Sequence, residues 1–408
     1  MQVVVTVNGP GETMGWLHPL ATSLRQEYPD LRVYVCILPC VFSTGAEKDV
    51  IEGLEGIDGV LGVAESLALI FRGRLPEGMT FEGRSLVFHL GGEVALSHLL
   101  GLRLGAPRYG YFENPPGLRF MFRKVFYSGL SRNSDSAPDG NAGELMVDAA
   151  NLRRAEVKRD AHRAPCVALL PGSRAFLAVH LLPYFAVIVD RIAQRRPGID
   201  WVLARSRFLS LETLQTLPPP LEERRWEAVT LSFGADDSGC WLATERGNRI
   251  RILDGPDAFS VADFALTIPG TNTGELASHG VPMVVALPTY MGDLIPLPGL
   301  PGHLSRLPVF GRALKIALGW QRVRRLGLLA LPNVRAGEML VPEFIGEGLL
   351  DALEGALDTL LAGFGHDGDL RERLRNTMGG AGAARRLATE IGDFFTHEDA
   401  PQRIGAPQ

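Results

Sequence analysis

Hydrophobic positions along this chain fall into short β-branched runs, separated by longer segments of helical period and by loops rich in glycine. The first run, "QVVVTV" at 2–7, gives way to the loop "NGPGE", the helical stretch "GWLHPLATSLRQEY" and a second run, "LRVYVCIL". Strand, helix and strand in that order make a βαβ unit, and such units build parallel sheets. "SLVFHL", ending in "GGE", and "APRYGYF" read as further strands of the same sheet. "YSGLSRNSDSAPDGNAGE" and the charged "NLRRAEVKRDAHRAP" then shift the composition in the way of an interdomain connection. The alternation restarts with "CVALL", the loop "PGSR", a helix through "VHLLPYFAVIVDRIAQRR" and the strand "DWVLA". Later come "EAVTLSF", "NRIRIL", "DFALTI" and "PMVVAL". The pattern predicts an α/β chain of two successive doubly wound sheets, with domains 1–150 and 151–408.

Composition narrows the class. The chain has 408 residues, more than one core usually serves, and its 46% hydrophobic and 21% charged content is that of a globular enzyme. A net charge of -5 argues against nucleic acid as the main partner. Cys36, Cys40, Cys166 and Cys240 form no CxxC pair and have no histidines at zinc-like spacing, so no metal site is expected. Met1 runs straight into a strand without a basic and then apolar leader, and no apolar segment approaches the roughly 20 residues of a membrane span. A cytoplasmic location is expected.

Ligands on doubly wound sheets sit at the carboxyl ends of strands, where "GPGE", "GGE", "PGSR" and "PGTNTGE" all fall. A helix N-terminus offers unpaired N–H groups and partial positive charge, so a loop of small residues leading into one suits a phosphate. In "GTNTGELASHG", Gly270 and Gly274 admit close backbone approach, Thr271 and Thr273 add hydroxyls, and Glu275, expected in the first helical turn, suits two sugar hydroxyls. The same residues also fit a simple helix cap, with Glu275 closing a capping box. In "PGSR", Arg174 suits a two-pronged contact with a diphosphate. Two anion sites on one sheet point to a nucleotide diphosphate. The N-terminal "GPGETMG" misses the dinucleotide spacing, and no acidic residue follows "CILPC" to bind an adenosine ribose, so NAD is the weaker reading. Asp236 and Asp237 in "GADDSG" read as a solvated turn, and His89 as a core histidine.

The ordered motifs "GE" at Gly11 and Glu12, "LLPGSR" at 169–174, "LLPYF" at 181–185, "GTNTGE" with "GVPMVV", "LPN" at 331–333 and "VPEF" at 341–344 resemble the lipid A disaccharide synthase family. These are GT-B glycosyltransferases, and the resemblance implies two Rossmann-like domains facing across a cleft. The N-terminal domain would hold the acceptor, the C-terminal domain the nucleotide-sugar donor, and the last helix would pack back on the N-terminal domain. It implies a UDP-sugar as substrate, no metal and no further cofactor. Donor binding carries over to Gly172, Ser173, Arg174, Gly270, Thr271, Thr273, Glu275 and Asn333, while Glu343 receives no definite role. Three departures fall in the acceptor half. Trp16 stands where the family has an aspartate, "GGE" replaces an acceptor-side aspartate, and Gly143–Glu144 replaces a glycine–histidine pair. Glu93 and Glu12 are the candidate catalytic carboxylates for deprotonating an acceptor hydroxyl.

A basic surface is expected locally. Between Asp293 and Glu338 there is no acidic residue and there are seven arginines and lysines. A helix after Pro308 would place Phe310 and Leu314 on one side, with Arg312, Lys315 and Arg322 opposite, a design for an anionic membrane face. "LRFMFRKVFY" at 118–127 is a second such candidate. The reading is a UDP-sugar glycosyltransferase with a lipid-linked or amphipathic acceptor, peripheral on the inner membrane leaflet. The alternatives are a UDP-sugar 2-epimerase of the same fold and a non-catalytic nucleotide-sugar binding protein.

Overall fold

The computed structural model describes residues 1–40, 43–114, 116, 118–129, 140–152, 164–218, 227–288 and 327–396. The chain divides into two compact units, Met1–Ala149 with Ala381–Gln408, and Ala150–Gly380.

The first unit holds β1 (Gln2–Val7), β2 (Arg32–Ile37), β3 (Gly59–Leu61), β4 (Ser85–His89), β5 (Arg108–Phe112) and β6 (Lys124–Tyr127), all parallel, in the order β3-β2-β1-β4-β5-β6. Every residue of β1 is buried, the condition of a central strand covered on both faces and the reason a near-continuous valine run serves it. The helices are α1 (Pro10–Glu12), which passes through a π-helical turn (Thr13–Leu17) into α2 (His18–Glu27), then α3 (Glu47–Glu52), α4 (Val63–Arg72), α5 (Val94–Leu104) and α6 (Leu145–Leu152).

The second unit holds β7 (Cys166–Leu170), β8 (Asp200–Arg205), β9 (Leu231–Asp236), β10 (Gly239–Thr244), β11 (Arg249–Asp254), β12 (Phe264–Thr267), β13 (Met283–Pro288) and β14 (Glu343–Gly346). Its order, β14-β13-β12-β7-β8-β11-β10-β9, repeats the six-strand order of the first unit, with an antiparallel β9–β10 hairpin added beyond β11. Both units are thus Rossmann-like, as a GT-B chain requires. The expected turn at "GADDSG" closes the hairpin, with the Asp236 carboxylate accepting from the Ser238 N–H at 2.8 Å. Helices α7 (Ala175–Arg195), α8 (Leu211–Gln215), α9 (Gly255–Val261), α10 (Thr271–His279), α11 (Leu331–Ala336), α12 (Leu350–Ala362) and α13 (Gly368–Met378) complete the unit. Among the described helices α7 alone is long and apolar enough to cross a bilayer, but its Leu181, Phe185, Ile188 and Ile192 form the centre of this unit's core.

The chain then returns. Helix α14 (Ala383–Thr396) packs Leu387, Ile391, Phe394 and Phe395 into the first unit's core beside Leu17, Leu20 and Leu24. The Asp148 carboxylate accepts from the N–H groups of Gly382 and Ala384 at 2.6 and 2.7 Å, which satisfies that helix's start.

Two expectations about lipid-facing segments meet different outcomes. Phe310, Arg312, Leu314, Lys315 and Arg322 lie outside the described residues. The stretch 118–127 is split between roles: Phe122 and Phe126 are core residues on either side of β6, and Lys124 pairs with Glu390 at 2.6 Å, while Phe120 stands 79% exposed. The apolar residues there serve the sheet, Phe120 excepted.

Candidate functional site

Topology places the glycine loops of the second unit. The order of strands reverses between β7 and β12, whose connections run in opposite directions along the sheet, and a crevice opens at such a switch point. Leu170 and Thr267, the last residues of these two strands, are registered partners, so "PGSR" and "PGTNTGE" leave the sheet side by side. Gly172 holds φ 97°, a backbone that favours glycine, and a Cβ there would meet Ile268 Cδ1 at 2.9 Å, so the first loop lies against the second. Gly270, at φ 149° and ψ -171°, holds a backbone that side chains do not tolerate, and it turns the second loop into α10.

Each loop opens a helix. Arg174 is the residue before α7, and its carbonyl accepts from Leu177 and Ala178. The residues that precede the two helices, Arg174 and Gly270, provide no side-chain cap, so the N-termini of α7 and α10 are suited to present backbone donors at the crevice. Ser173 and Arg174 are half-buried in the first loop, and Thr271 is half-buried at the head of α10. Glu275 is the fifth residue of α10, one turn above Thr271 on the same face, which corrects the expectation of a first-turn residue and removes the capping-box reading.

Two residues expected to contact the donor have their side chains engaged within the unit. Thr273 is fully buried; its hydroxyl donates to the Gly270 carbonyl at 2.7 Å and accepts from the Leu331 N–H at 3.0 Å. Asn333 is also fully buried. Its amide donates to the Val341 carbonyl and to Glu343 Oε1 at 2.8 and 2.6 Å, and its Oδ1 accepts from Leu340 and Val341 at 2.8 and 2.9 Å. All four of its hydrogen-bonding positions are filled from within the unit. Glu343, whose part the sequence left open, accepts from the N–H groups of Leu329 and Ala330 at 2.9 and 2.7 Å and so caps α11. "GTNTGE", "LPN" and "VPEF" therefore form one buried network that fastens α11 to α10 and β14. Thr273 and Asn333 hold the "GTNTGE" loop from behind.

In the first unit the switch point lies between β1 and β4. The loop after β1 carries Asn8, Gly11 and Glu12, the loop after β4 carries Gly91, Gly92 and Glu93, and β5 is followed directly by Glu113. A Cβ on Gly91 would meet Asn8 Oδ1 at 2.9 Å and Glu12 Cγ at 3.0 Å, so Glu12 lies across the β4 loop. Asn8 Oδ1 is buried without a hydrogen-bond partner among the described residues. Glu93 is exposed at the start of α5. Glu113, which sequence reasoning missed, is a half-buried carboxyl pushed above the usual range by burial and by the neighbouring charge of Glu12. Trp16 is a core residue, edge-on to Tyr111 at 5.4 Å between ring centroids. Glu144 is buried and accepts from the Tyr111 hydroxyl at 3.4 Å.

His89 is a core histidine. Its Nδ1 lies 2.8 Å from Ser97 Oγ and 3.3 Å from Thr6 Oγ1, its ring stacks on Phe112, and burial pushes its pKa down to about 4. The unfolded chain would titrate it near 6.5, so the stability it confers is whole above that value and is lost as pH falls toward 4. Urea unfolding should show about 2 to 3 kcal/mol lost to this group between pH 7.5 and 4.5. A His89→Gln variant should have a correspondingly flatter acid slope; an unchanged slope would mean that the folded protein protonates this imidazole at the same pH as the unfolded chain.

No family model matches the chain. Its sequence is similar to curated lipid-A-disaccharide synthases: 30% identical over 206 residues to that of Granulibacter bethesdensis (50% of this chain, 40% of the relative), 29% over 227 residues to that of Trichlorobacter lovleyi (54% and 47%) and 26% over 265 residues to that of Erwinia tasmaniensis (63% and 55%). The matched part thus spans about half the length of these relatives. Among solved structures it is similar to a putative UDP-N-acetylglucosamine 2-epimerase from Listeria monocytogenes, with TM-score 0.48, 14% identity and 99% of each chain covered. It is also similar to MurG of Acinetobacter baumannii, with TM-score 0.45, 14% identity, 97% of this chain and 99% of that one covered.

Proposed function

We propose, taking the similarity to lipid-A-disaccharide synthases as premise, that the chain is a glycosyltransferase that moves a sugar from a UDP-sugar to a lipid-linked or otherwise amphipathic acceptor. The observation that carries this reading is the pairing of Leu170 with Thr267, which brings two uncapped helix N-termini together at the second unit's switch point. A diphosphate matches that arrangement: Gly172, Ser173, Gly270 and Thr271 offer backbone and hydroxyl donors, and Arg174 offers a guanidinium. Glu275, one turn farther along α10, is the acceptor for two ribose hydroxyls. As the sugar leaves, charge accumulates on the diphosphate, where these donors stabilise it without a bound metal.

The acceptor half belongs to the first unit, where Trp16, Gly92–Glu93 and Gly143–Glu144 depart from the family pattern. Departures confined to the acceptor half, with the donor-side motifs kept, are what altered acceptor choice would leave. A peripheral membrane role is supported by exposed apolar side chains in the same unit: Phe71 of α4, Leu99 and Leu102 of α5 and Phe120 are 58%, 38%, 60% and 79% exposed, with Arg72, Arg74, Arg103, Arg119 and Arg123 close to them in sequence. Exposed apolar side chains interspersed with arginines along the chain suit an anionic bilayer.

Calorimetry with UDP tests the donor site. A Glu275→Ala variant should bind UDP more weakly by about 1 to 3 kcal/mol, the worth of hydrogen bonds to a charged partner. Unchanged affinity in the folded variant would remove the glutamate from the site. UDP release that depends on added acceptor separates transfer from isomerisation, which needs none.

A further inference from the structure

Past the "PGSR" loop, the carboxyl edge of the second unit's sheet carries a charged pair that no motif indicated: Arg205, the last residue of β8, and Asp254, the last residue of β11. We infer that Asp254, held by Arg205, is the specificity residue that accepts from the N3–H of a uracil ring and so selects uridine over cytidine nucleotides; the inference rests on the nucleotide-sugar reading above.

Register sets the distance. Leu169 of β7 pairs with Leu203 of β8, and Arg205 of β8 pairs with Asp254 of β11, so both charged residues stand just beyond the level of Leu170 and Thr267. Strands lie about 4.8 Å apart, and the gap between β8 and β11 is two spacings, about 10 Å, from the crevice between β12 and β7. A ribose with its base covers that interval when a diphosphate occupies the crevice. The helices give the direction. α9 begins immediately after Asp254 and packs beside α10, with the rings of Phe259 and His279 5.8 Å apart between centroids. Glu275 stands on α10, so a nucleoside whose ribose it binds lies on the side of the sheet that α9 covers. Its base then falls toward Asp254.

The pair suits reading better than fastening. A parallel ladder from Trp201–Ile250 to Arg205–Asp254 already joins β8 to β11, and a half-exposed ion pair at its end adds little to that. Arg205 is anchored: its guanidinium donates to the Leu209 carbonyl at 3.1 Å and to Asp254 Oδ1 at 2.6 Å, with Phe208 and Leu209 buried in the turn that follows. Its side chain is 20% exposed and that of Asp254 44%, so the carboxylate is the reachable partner. Asp254 precedes α9, where an aspartate commonly caps the helix, yet its side chain makes no cap bond there. The carboxylate turns to Arg205 instead, which fixes one oxygen and leaves the group open at the carboxyl edge. A carboxylate only accepts hydrogen bonds. Uracil offers it a donor, N3–H, flanked by two carbonyl oxygens that suit the neighbouring guanidinium. Cytosine presents a bare N3 at the same point, and its lone pair against the carboxylate is the repulsive element that selection needs.

The test is calorimetry on the full chain with UDP, CDP and N3-methyl-UDP as probes. The parent should bind UDP about tenfold or more tightly than either of the others. Asp254→Asn, whose amide both donates and accepts, should bring UDP and CDP within about threefold of each other. Asp254→Ala should bind UDP and N3-methyl-UDP alike, since the methyl group then blocks nothing. A parent that takes UDP and CDP equally, or an Asp254→Asn variant that keeps the parent's preference, overturns the inference and leaves the donor reading standing. Equal weakening of UDP and CDP in Asp254→Asn, together with a lower thermal midpoint, also overturns it, because a pair that only braces the loop would behave so. Should the parent bind none of the three, the donor reading itself fails and takes the inference with it.

Discussion

Replacing Asn333 by alanine should destabilise the second unit by about 3 to 5 kcal/mol, because it leaves several buried polar groups without partners. The carbonyl of Val341 and one oxygen of Glu343 lose a donor, and the N–H groups of Leu340 and Val341 lose an acceptor. The Val341 groups are too deep for water to replace the amide, since Val341 and Asn333 are both fully buried. Denaturant unfolding followed by tryptophan fluorescence would record the loss as a lower midpoint, and UDP affinity should fall with it as α11 and α10 loosen. The opposite split, normal stability with UDP binding lost, would return Asn333 to the role of direct donor contact that the "LPN" motif implied. Asn333→Asp should be nearly as harmful, since it sets a second carboxylate against Glu343.

The second large effect is expected at Arg174. If its guanidinium meets a diphosphate, Arg174→Ala should weaken UDP by about 1.5 to 3 kcal/mol, a tenfold to hundredfold rise in Kd, and leave uridine nearly unaffected. The contrast between the two ligands matters more than the size of either loss. Equal weakening of both would mean that the side chain shapes the loop ahead of α7 and does not contact phosphate. Raising salt should narrow the difference between UDP and uridine in the parent and have little effect in the variant.

Much of this was readable in the chain because parallel sheets write themselves plainly. The valine run of β1, the "CVALL" of β7 and the glycine loops after them follow from burial on both faces and from sharp turns into helices. β3, with only Gly59–Leu61, and β6, whose Lys124, Val125, Phe126 and Tyr127 look like a basic amphipathic stretch, carry too little pattern to be seen without their neighbours. β10 was hidden for a different reason: "GCWLAT" is a strand by virtue of the antiparallel hairpin it completes with β9. At the site, the loops were legible as loops, but the division of labour within them was not. Thr273 and Asn333 carry the residue types of ligand contacts, and only the arrival of Leu331, Leu340 and Glu343 from later in the chain shows their groups already satisfied. Glu113 was missed because one glutamate after "YGYF" has no motif around it; its raised carboxyl comes from burial and from Glu12, remote in sequence.

Helix α14 has a bearing on how the protein is made. Its Phe394 carbonyl accepts from Arg84, 310 positions earlier, and its apolar side packs against α2. During translation the first unit therefore emerges early yet stays unsealed until residues 383–396 leave the ribosome, by which time the whole second unit has been synthesised. The nascent first unit carries an open greasy seam throughout that interval. Chains cut short anywhere before Ala383 would keep that seam open for good, so ribosome stalling should yield species that chaperones hold and proteases clear.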